Sequence, residues 1–362
     1  MHIEENRPLA PFTTLGIGGP ARWFVEAASE PEIVEAVEWA RKRVTPLFIL
    51  GGGSNLLISD AGFEGLVLRV NLRGMSQVTS GVERVYCVAA GEPWKHCVQR
   101  SLEDNCAGLE CLAGIPGTVG GTPVQNVGAY GQEAASVIER VRAFDLRAGH
   151  FVELTAAECG FAYRRSRFNT IDRGRFIVTR VDYRLTPGGA PTLRYPELQR
   201  AVEAAHPDGS KPTLAEVADT VRRIRRAKGM LIVEGDPDCR SAGSFFKNPI
   251  ITEELYQKIA ARSAAAPPRF PAGSGPESDG LVKIPAAWLI EQAGFAKGYT
   301  LDAAGISSRH TLALVNRGGA SAQQILTLAG QIADAVEERF GLRLEREPVL
   351  VGFEATPKQQ AE

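Results

Sequence analysis

The 362-residue chain balances 41 Lys+Arg against 42 Asp+Glu, a formal net charge of -1, and 44% of its residues are hydrophobic. That balance leaves no electrostatic footprint for nucleic acid, and no window approaches the roughly 18 uninterrupted apolar residues of a membrane span. The opening Met1-His-Ile-Glu-Glu-Asn-Arg is polar and acidic, without the regions of a signal peptide, so a cytoplasmic, monomeric protein with one α/β and one α+β domain is expected.

Taken in chain order, the first half reads as strands alternating with helices. Ala21–Ala27 is predicted as a strand. Ser29-Glu-Pro-Glu32 has the form of a capping box, and the helix it opens carries Ile33, Val34, Val37 and Ala40 on one face. Pro46 precedes Leu47-Phe-Ile-Leu50, an apolar run expected to be a strand buried on both faces. Gly51-Gly-Gly-Ser-Asn55 follows, then Leu56-Leu-Ile, a turn at Asp60-Ala-Gly62, and a strand over 65–70. A strand then a turn is predicted over 84–91, strands over 141–145 and 176–185, and a helix from Trp94 to Leu102.

Later in the chain, Thr213 to Lys228 is an amphipathic helix dense in arginine, and Ser263 to Glu277 has the composition of a surface loop. Ser321-Ala-Gln-Gln324 opens another capped helix, with Ile325, Leu328, Ile332, Val336 and Phe340 inward and Gly341 as C-cap. One or two closing strands are expected in Leu342–Glu345 and Val349–Phe353. The six cysteines, Cys87, Cys97, Cys106, Cys111, Cys159 and Cys239, contain no CxxC pair. They read as isolated small hydrophobes, and no metal site is expected.

Gly114-Ile-Pro-Gly-Thr-Val-Gly-Gly-Thr-Pro-Val-Gln-Asn-Val-Gly-Ala-Tyr-Gly131 holds six glycines and two prolines with almost no charge. Glycine's entropy and proline's missing donor exclude a regular helix, and its apolar residues exclude a disordered linker. An ordered, buried loop remains, whose bare amides suit a phosphate or a flat cofactor ring. The GxGxxG fingerprint of a dinucleotide fold is absent. Several glycine loops beside strands fit a pyrophosphate and flavin ring better.

Three polar features stand out elsewhere: Phe161-Ala-Tyr-Arg-Arg-Ser166, Ser241-Ala-Gly-Ser-Phe-Phe-Lys-Asn-Pro249 and Leu344-Glu-Arg-Glu-Pro348. Taken singly they read as a basic surface turn, a turn into an apolar strand and a solvated strand face.

Together, Thr13-Thr-Leu-Gly-Ile-Gly-Gly-Pro-Ala21, Leu50-Gly-Gly-Gly-Ser-Asn-Leu-Leu57 and Gly108 to Gly121 resemble the FAD-binding segments of the UDP-N-acetylenolpyruvoylglucosamine reductase family. The resemblance runs from about residue 10 to residue 353. It implies a vanillyl-alcohol-oxidase-like, PCMH-type FAD domain over 10–210, in subdomains of about 10–70 and 71–210. A smaller α+β substrate-binding domain over 211–353 would follow, its last strand returning toward the FAD domain.

The resemblance also assigns residues. Arg164, Ser244 and Glu347 match the family's catalytic motifs, with Glu345 as the alternative acid because proline follows Glu347. Leu50, Gly51, Gly52, Gly53, Ser54 and Asn55 would hold non-covalent FAD, together with Gly114, Ile115, Pro116, Gly117, Thr118, Gly120, Gly121, Gln125, Asn126, Gly128 and Ala129. None of the five histidines lies in these loops to attach flavin covalently. Tyr130, Tyr195, Lys228, Asn248 and His310 would contact the UDP-sugar, with Lys247 in the same motif as Asn248. Tyr195 would act as a lid, as in the family's tyrosine-loop subclass.

The implied reaction is NADPH-dependent reduction of the enolpyruvyl ether of UDP-N-acetylglucosamine, for peptidoglycan precursor synthesis. Arg164 would stabilise the enolate charge, and Ser244 would supply a proton to C2. Glu347 would either donate to the enolate or orient Arg164. The competing readings are a flavin oxidase or dehydrogenase of the same fold acting on an alcohol or lactone, and a non-enzymatic nucleotide-binding protein.

Overall fold

The computed structural model describes residues 1–263, 265–272 and 279–353. It resolves into two compact units, and each gathers separate stretches of the chain. The first comprises Met1–Arg7, Ala21–Gly53 and Glu64–Ala227; the second comprises Pro8–Pro20, Ser54–Phe63 and the chain from Lys228 onward.

The two larger sheets of the first unit lie among its described residues. A four-stranded sheet runs in the order Glu4–Pro8, Pro20–Ala27, Phe63–Val70, Leu47–Leu50, the last two pairing parallel. Leu47–Leu50 is therefore an edge strand. Its position explains why only Leu50 is buried while Leu47, Phe48 and Ile49 are half-buried, against the expectation of burial on both faces. The helix Glu30–Lys42 begins at Ser29, whose hydroxyl accepts from Glu32 N, while the Glu32 carboxylate accepts from Ala28 N at 2.7 Å. It buries Ile33, Ala36, Val37 and Ala40.

The larger sheet is antiparallel, in the order His150–Thr155, Ile138–Asp145, Phe176–Pro187, Glu83–Ala89, Met75–Ser80, with Cys106–Ala107 beside the end of Phe176–Pro187. Flanked on both sides, Phe176–Pro187 buries most of its length. Tyr86, Trp94, Val141, Ile177, Val181 and Tyr183 join one apolar core with Val217 and Val221 of the helix Leu214–Ala227. All six cysteines are free, and all but Cys87 are buried, as small hydrophobes would be.

The second unit has its own core around Phe245, Phe246, Ile306, Leu314, Ile325, Leu328, Ile332 and Phe340. The helix Ala322–Phe340 carries the capping box of Ser321 and Gln324 and ends at Gly341 with φ 68°. Asp60 adds a second N-terminal anchor, its carboxylate accepting from Ala322 N (2.8 Å) and Gln323 N (3.2 Å). Val349–Val351 pairs parallel with Leu56–Ile58. The other closing strand expected, Leu342–Glu345, does not form. That segment has no regular strand, and one isolated bridge joins Arg346 to Phe246. Residues 264 and 273–277 of the expected surface loop lie outside the described residues; within it, Phe270–Pro271 pairs with Leu281–Lys283.

Candidate active site

In the first unit, the two glycine loops meet backbone to backbone. A Cβ on Gly52 would lie 2.5 Å from Gly117 Cα, so no side chain is tolerated there, and a Cβ on Gly51 would lie 3.2 Å from Thr118 Oγ1. The longer loop is fastened across the turn that precedes the helix Trp94–Glu103. Gly117 O accepts from Trp94 N (3.0 Å), Val119 N donates to Glu92 O (2.9 Å) and Gly120 N donates to Ala90 O (2.8 Å). Gly121 N donates to Thr118 O. The amides of Gly120 and Gly121 are thus engaged within the fold, and a Cβ on Gly120 would meet Ala90 Cβ at 2.7 Å. The loop is ordered but half-buried rather than buried: Val119, Thr122, Pro123 and Asn126 are covered while Gly121 is exposed. Ile115 packs partly against the core, and Pro116 and Gln125 are half-buried.

One end of the longer loop is held by a residue outside the motifs. Arg225 donates from Nε to Gly114 O at 3.1 Å and is 8% exposed. Burial pushes its pKa down, and the nearby charge of Arg164 acts in the same direction. Its signal was present in the sequence, because Val217, Val221 and Arg225 follow one another at helical i, i+4 spacing on the buried stripe.

Arg164 sits on a tight turn closed by Ala162 N to Arg165 O (3.0 Å) and Arg165 N to Ala162 O (3.1 Å). Its Nη2 donates to Gly128 O at 2.8 Å. Gly128 and Ala129 form a short strand paired with Gln132–Glu133. Asn126, Tyr130 and Arg164 all have positive φ, at 46°, 49° and 55°. Such backbone is uncommon outside glycine and clusters where function constrains it. Tyr130 stacks edge-on against Tyr195, centroids 5.5 Å apart. Burial raises the Tyr130 phenol to about 12 and raises Tyr195 as well.

In the second unit, Ser244 lies in a segment clamped on both sides. Phe245 N donates to Leu312 O (2.7 Å), and Phe245 O accepts from Glu347 N (2.9 Å). Lys247 N donates to Glu345 O (2.9 Å), and the Lys247 ammonium pairs with the Glu345 carboxylate. The Ser244 and Glu347 motifs, far apart in sequence, therefore run side by side. Asn55 joins them, donating from Nδ2 to Glu347 O at 3.3 Å. Thr14 of the first glycine motif donates to Ser241 O at 2.6 Å. Phe245 and Phe246 are buried beneath, holding the half-buried Ser244 up.

The substrate-side residues are placed less uniformly. The Asn248 side-chain oxygen accepts from Ala286 N (2.9 Å), at the start of the helix Ala286–Gln292. Lys228 and His310 are neighbours of one polar knot. Gly229, next to Lys228, would place a Cβ 3.1 Å from Asp238 Cβ. Asp238 accepts from Ser308 N (3.1 Å), Ser308 Oγ (2.6 Å) and Arg309 Nε (3.1 Å), just before His310.

The cradle of Gly51–Gly53 against Gly114–Thr118 has the bare-backbone character a cofactor pyrophosphate needs. A family model described as FAD binding domain matches residues 21–155. Another, UDP-N-acetylenolpyruvoylglucosamine reductase, C-terminal domain, matches residues 236–351. The chain is 46% identical over 358 residues to UDP-N-acetylenolpyruvoylglucosamine reductase of Streptomyces coelicolor, covering 96% of this chain and 90% of that protein. It is 43% identical to the protein of that name from Bordetella pertussis, covering 96% and 97%. The crystal structure of UDP-N-acetylenolpyruvylglucosamine reductase from Thermus caldophilus is similar with a TM-score of 0.65 and 28% identity, covering 97% of this chain and 99% of that one.

Proposed function

The chain belongs to the UDP-N-acetylenolpyruvoylglucosamine reductase family, and from that premise we propose that Arg164, Ser244 and Glu347 carry its reaction. The protein is an NADPH-dependent FAD oxidoreductase of peptidoglycan precursor synthesis, reducing the enolpyruvyl ether of UDP-N-acetylglucosamine to UDP-N-acetylmuramate. FAD, when bound, supplies the hydride from N5 to C3 of the enolpyruvyl group.

Leu50, Gly51 to Asn55, Gly114 to Thr118, Gly120, Gly121, Gln125, the backbone of Asn126, Gly128 and Ala129 are assigned to the cofactor. The observation that supports a shared cradle is the contact of Gly52 with Gly117. Arg164 is assigned the substrate carboxylate, where a planar fork stabilises charge that builds up only in the transition state. Ser244 is assigned the proton that goes to C2. Glu347, whose own N–H is bonded to the residue after Ser244, is assigned as the acid that partners this step. That backbone bond carries the choice of Glu347 over Glu345. Tyr130, Tyr195, Lys228, Asn248 and His310 are assigned to the UDP-sugar, with Tyr195 as its lid.

This reading carries a cytoplasmic, monomeric enzyme, and sizing chromatography of the purified chain tests the second point. The decisive experiment is the visible spectrum without oxygen. Flavin bands should bleach on adding NADPH and return on adding the enolpyruvyl UDP-sugar. Ser244→Ala should bleach normally and fail to recover. Recovery at the wild-type rate would remove Ser244 from the proton step.

A further inference from the structure

Asn126 lies in the loop assigned to the cofactor, yet its side chain faces the protein. It is 1% exposed. Nδ2 donates to Glu133 Oε2 (2.9 Å) and to Ala162 O (3.1 Å), and Oδ1 accepts from Ala135 N (3.0 Å). An asparagine amide has two donors, and both are taken. We propose that Asn126 is a positioning residue for Arg164, holding the arginine's turn rather than contacting the flavin.

The geometry follows the path of those bonds. Arg164 adopts φ 55°, a conformation that persists in residues with a Cβ only when the surroundings over-determine it. Three bonds do so. Asn126 holds Ala162 O at the entry to the turn, Asn169 Nδ2 holds Arg164 O (3.1 Å), and Gly128 O receives the guanidinium Nη2 (2.8 Å). Gly128 is paired with Glu133, the residue whose carboxylate Asn126 also grips. One buried amide therefore ties the strand that receives the guanidinium to the turn that delivers it. A fork that must meet a carboxylate squarely loses its effect when shifted, about 100-fold for a displacement on the order of 1 Å. The inference rests on the reading of Arg164 as the cation that meets the substrate carboxylate.

The test uses the FAD-loaded enzyme and the nearly isosteric Asn126→Asp, which sets an acceptor against Glu133 and Ala162 O. FAD bound per chain should match wild type even though the thermal midpoint falls by several degrees, while kcat/KM for the enolpyruvyl UDP-sugar falls about 10- to 100-fold. In a double-mutant cycle with Arg164→Lys, the Asn126→Asp loss should largely vanish. Additive losses, or loss of FAD in step with activity, overturn the proposal. If Arg164→Lys alone leaves kcat/KM unchanged, the reading of Arg164 falls and takes this proposal with it. If Arg164→Lys is costly and Asn126→Asp is not, only the proposal falls. Should Asn126→Asp fail to fold, Glu133→Ala breaks the same tie from the half-buried end. It should show a smaller loss, about 3- to 10-fold, with the same non-additivity.

Discussion

Glu345 and Glu347 are two residues apart, and in an extended chain their side chains would share a face. The fold separates them. The Glu345 side chain is 71% exposed and paired with Lys247, an arrangement worth about 0–1 kcal/mol. Glu347 is half-buried, with its N–H on Phe245 O and its C=O on Asn55. Glu347→Gln is therefore expected to lower kcat by about 100-fold or more, while Glu345→Gln stays within about twofold of wild type. Steady-state kinetics on both variants check this, and equal losses would return the choice to Glu345. At this scale the sequence alone was ambiguous. An Arg-Arg pair, a serine after glycine and two nearby acids each have a bland explanation, and only the resemblance joined them. The engaged amide of Asn126 was not legible at all, because hydrogen-bond partners come from tertiary neighbours rather than from residue type.

The helices Glu30–Lys42 and Ala322–Phe340 were the most legible elements, since their ends carry local chemistry, whereas Pro196–Ala205, Glu253–Ala261 and Ala286–Gln292 were not anticipated. Ser29 with Glu32, Ser321 with Gln324 and Gly341 all cap as their residue types dictate. Polar edge strands were not legible. Met75–Ser80 and His150–Thr155 lie at the two edges of the large sheet, where no apolar run is needed and so none marks them. Leu342–Glu345 failed in the opposite way: its alternation suggests a strand, but among the described residues its one backbone bond to 245–247 is Lys247 N to Glu345 O. Arg225 occupies the buried stripe of the helix Leu214–Ala227 and braces Gly114. In Arg225→Met a charged hydrogen bond worth about 1.5–3 kcal/mol is lost, but the cost of burying the charge disappears with it. The thermal midpoint is expected to stay within a few degrees, by roughly the relation between small ΔΔG and midpoint shift. The unbraced loop should instead bind FAD about tenfold more weakly, a shift of roughly 1.4 kcal/mol. Fluorescence of released FAD on dilution measures it, and unchanged release would mean that Gly114 is held adequately by other contacts.

Across the whole molecule, carboxylates held by arginines recur in both units and give folding a definite acid limit. In the first unit, Asp145 accepts from Arg175 Nε and Nη2 and from the amides of Arg147 and Ala148. Asp172 bridges Arg167 and Arg175, fastening the segment that follows Arg164 to the sheet. In the second unit, Arg309 grips Asp236 and Asp238. The Arg175 hydrogen bonds, opposed by burial, hold the Asp145 carboxyl well below its ordinary value. Arg167 does the same for Asp172, and Arg309 for Asp236. For Asp238, burial pushes upward, but the bonds from Ser308 and Arg309 outweigh it. A carboxylate with a depressed folded pKa binds its proton more readily in the unfolded chain. Its stabilisation is complete above the unfolded value of about 3.9 and is lost as pH falls through the folded value. Stability should thus be flat in these terms from neutral pH to about 5 and fall steeply below about 4. Asp145→Asn removes one such contribution without changing shape. Its deficit in urea unfolding should be about 2 kcal/mol, constant between about pH 7 and 5, and should shrink toward zero as pH drops below about 4. A deficit that persists unchanged at the lowest pH where the protein still folds would mean that packing, not charge, accounts for the contribution of Asp145.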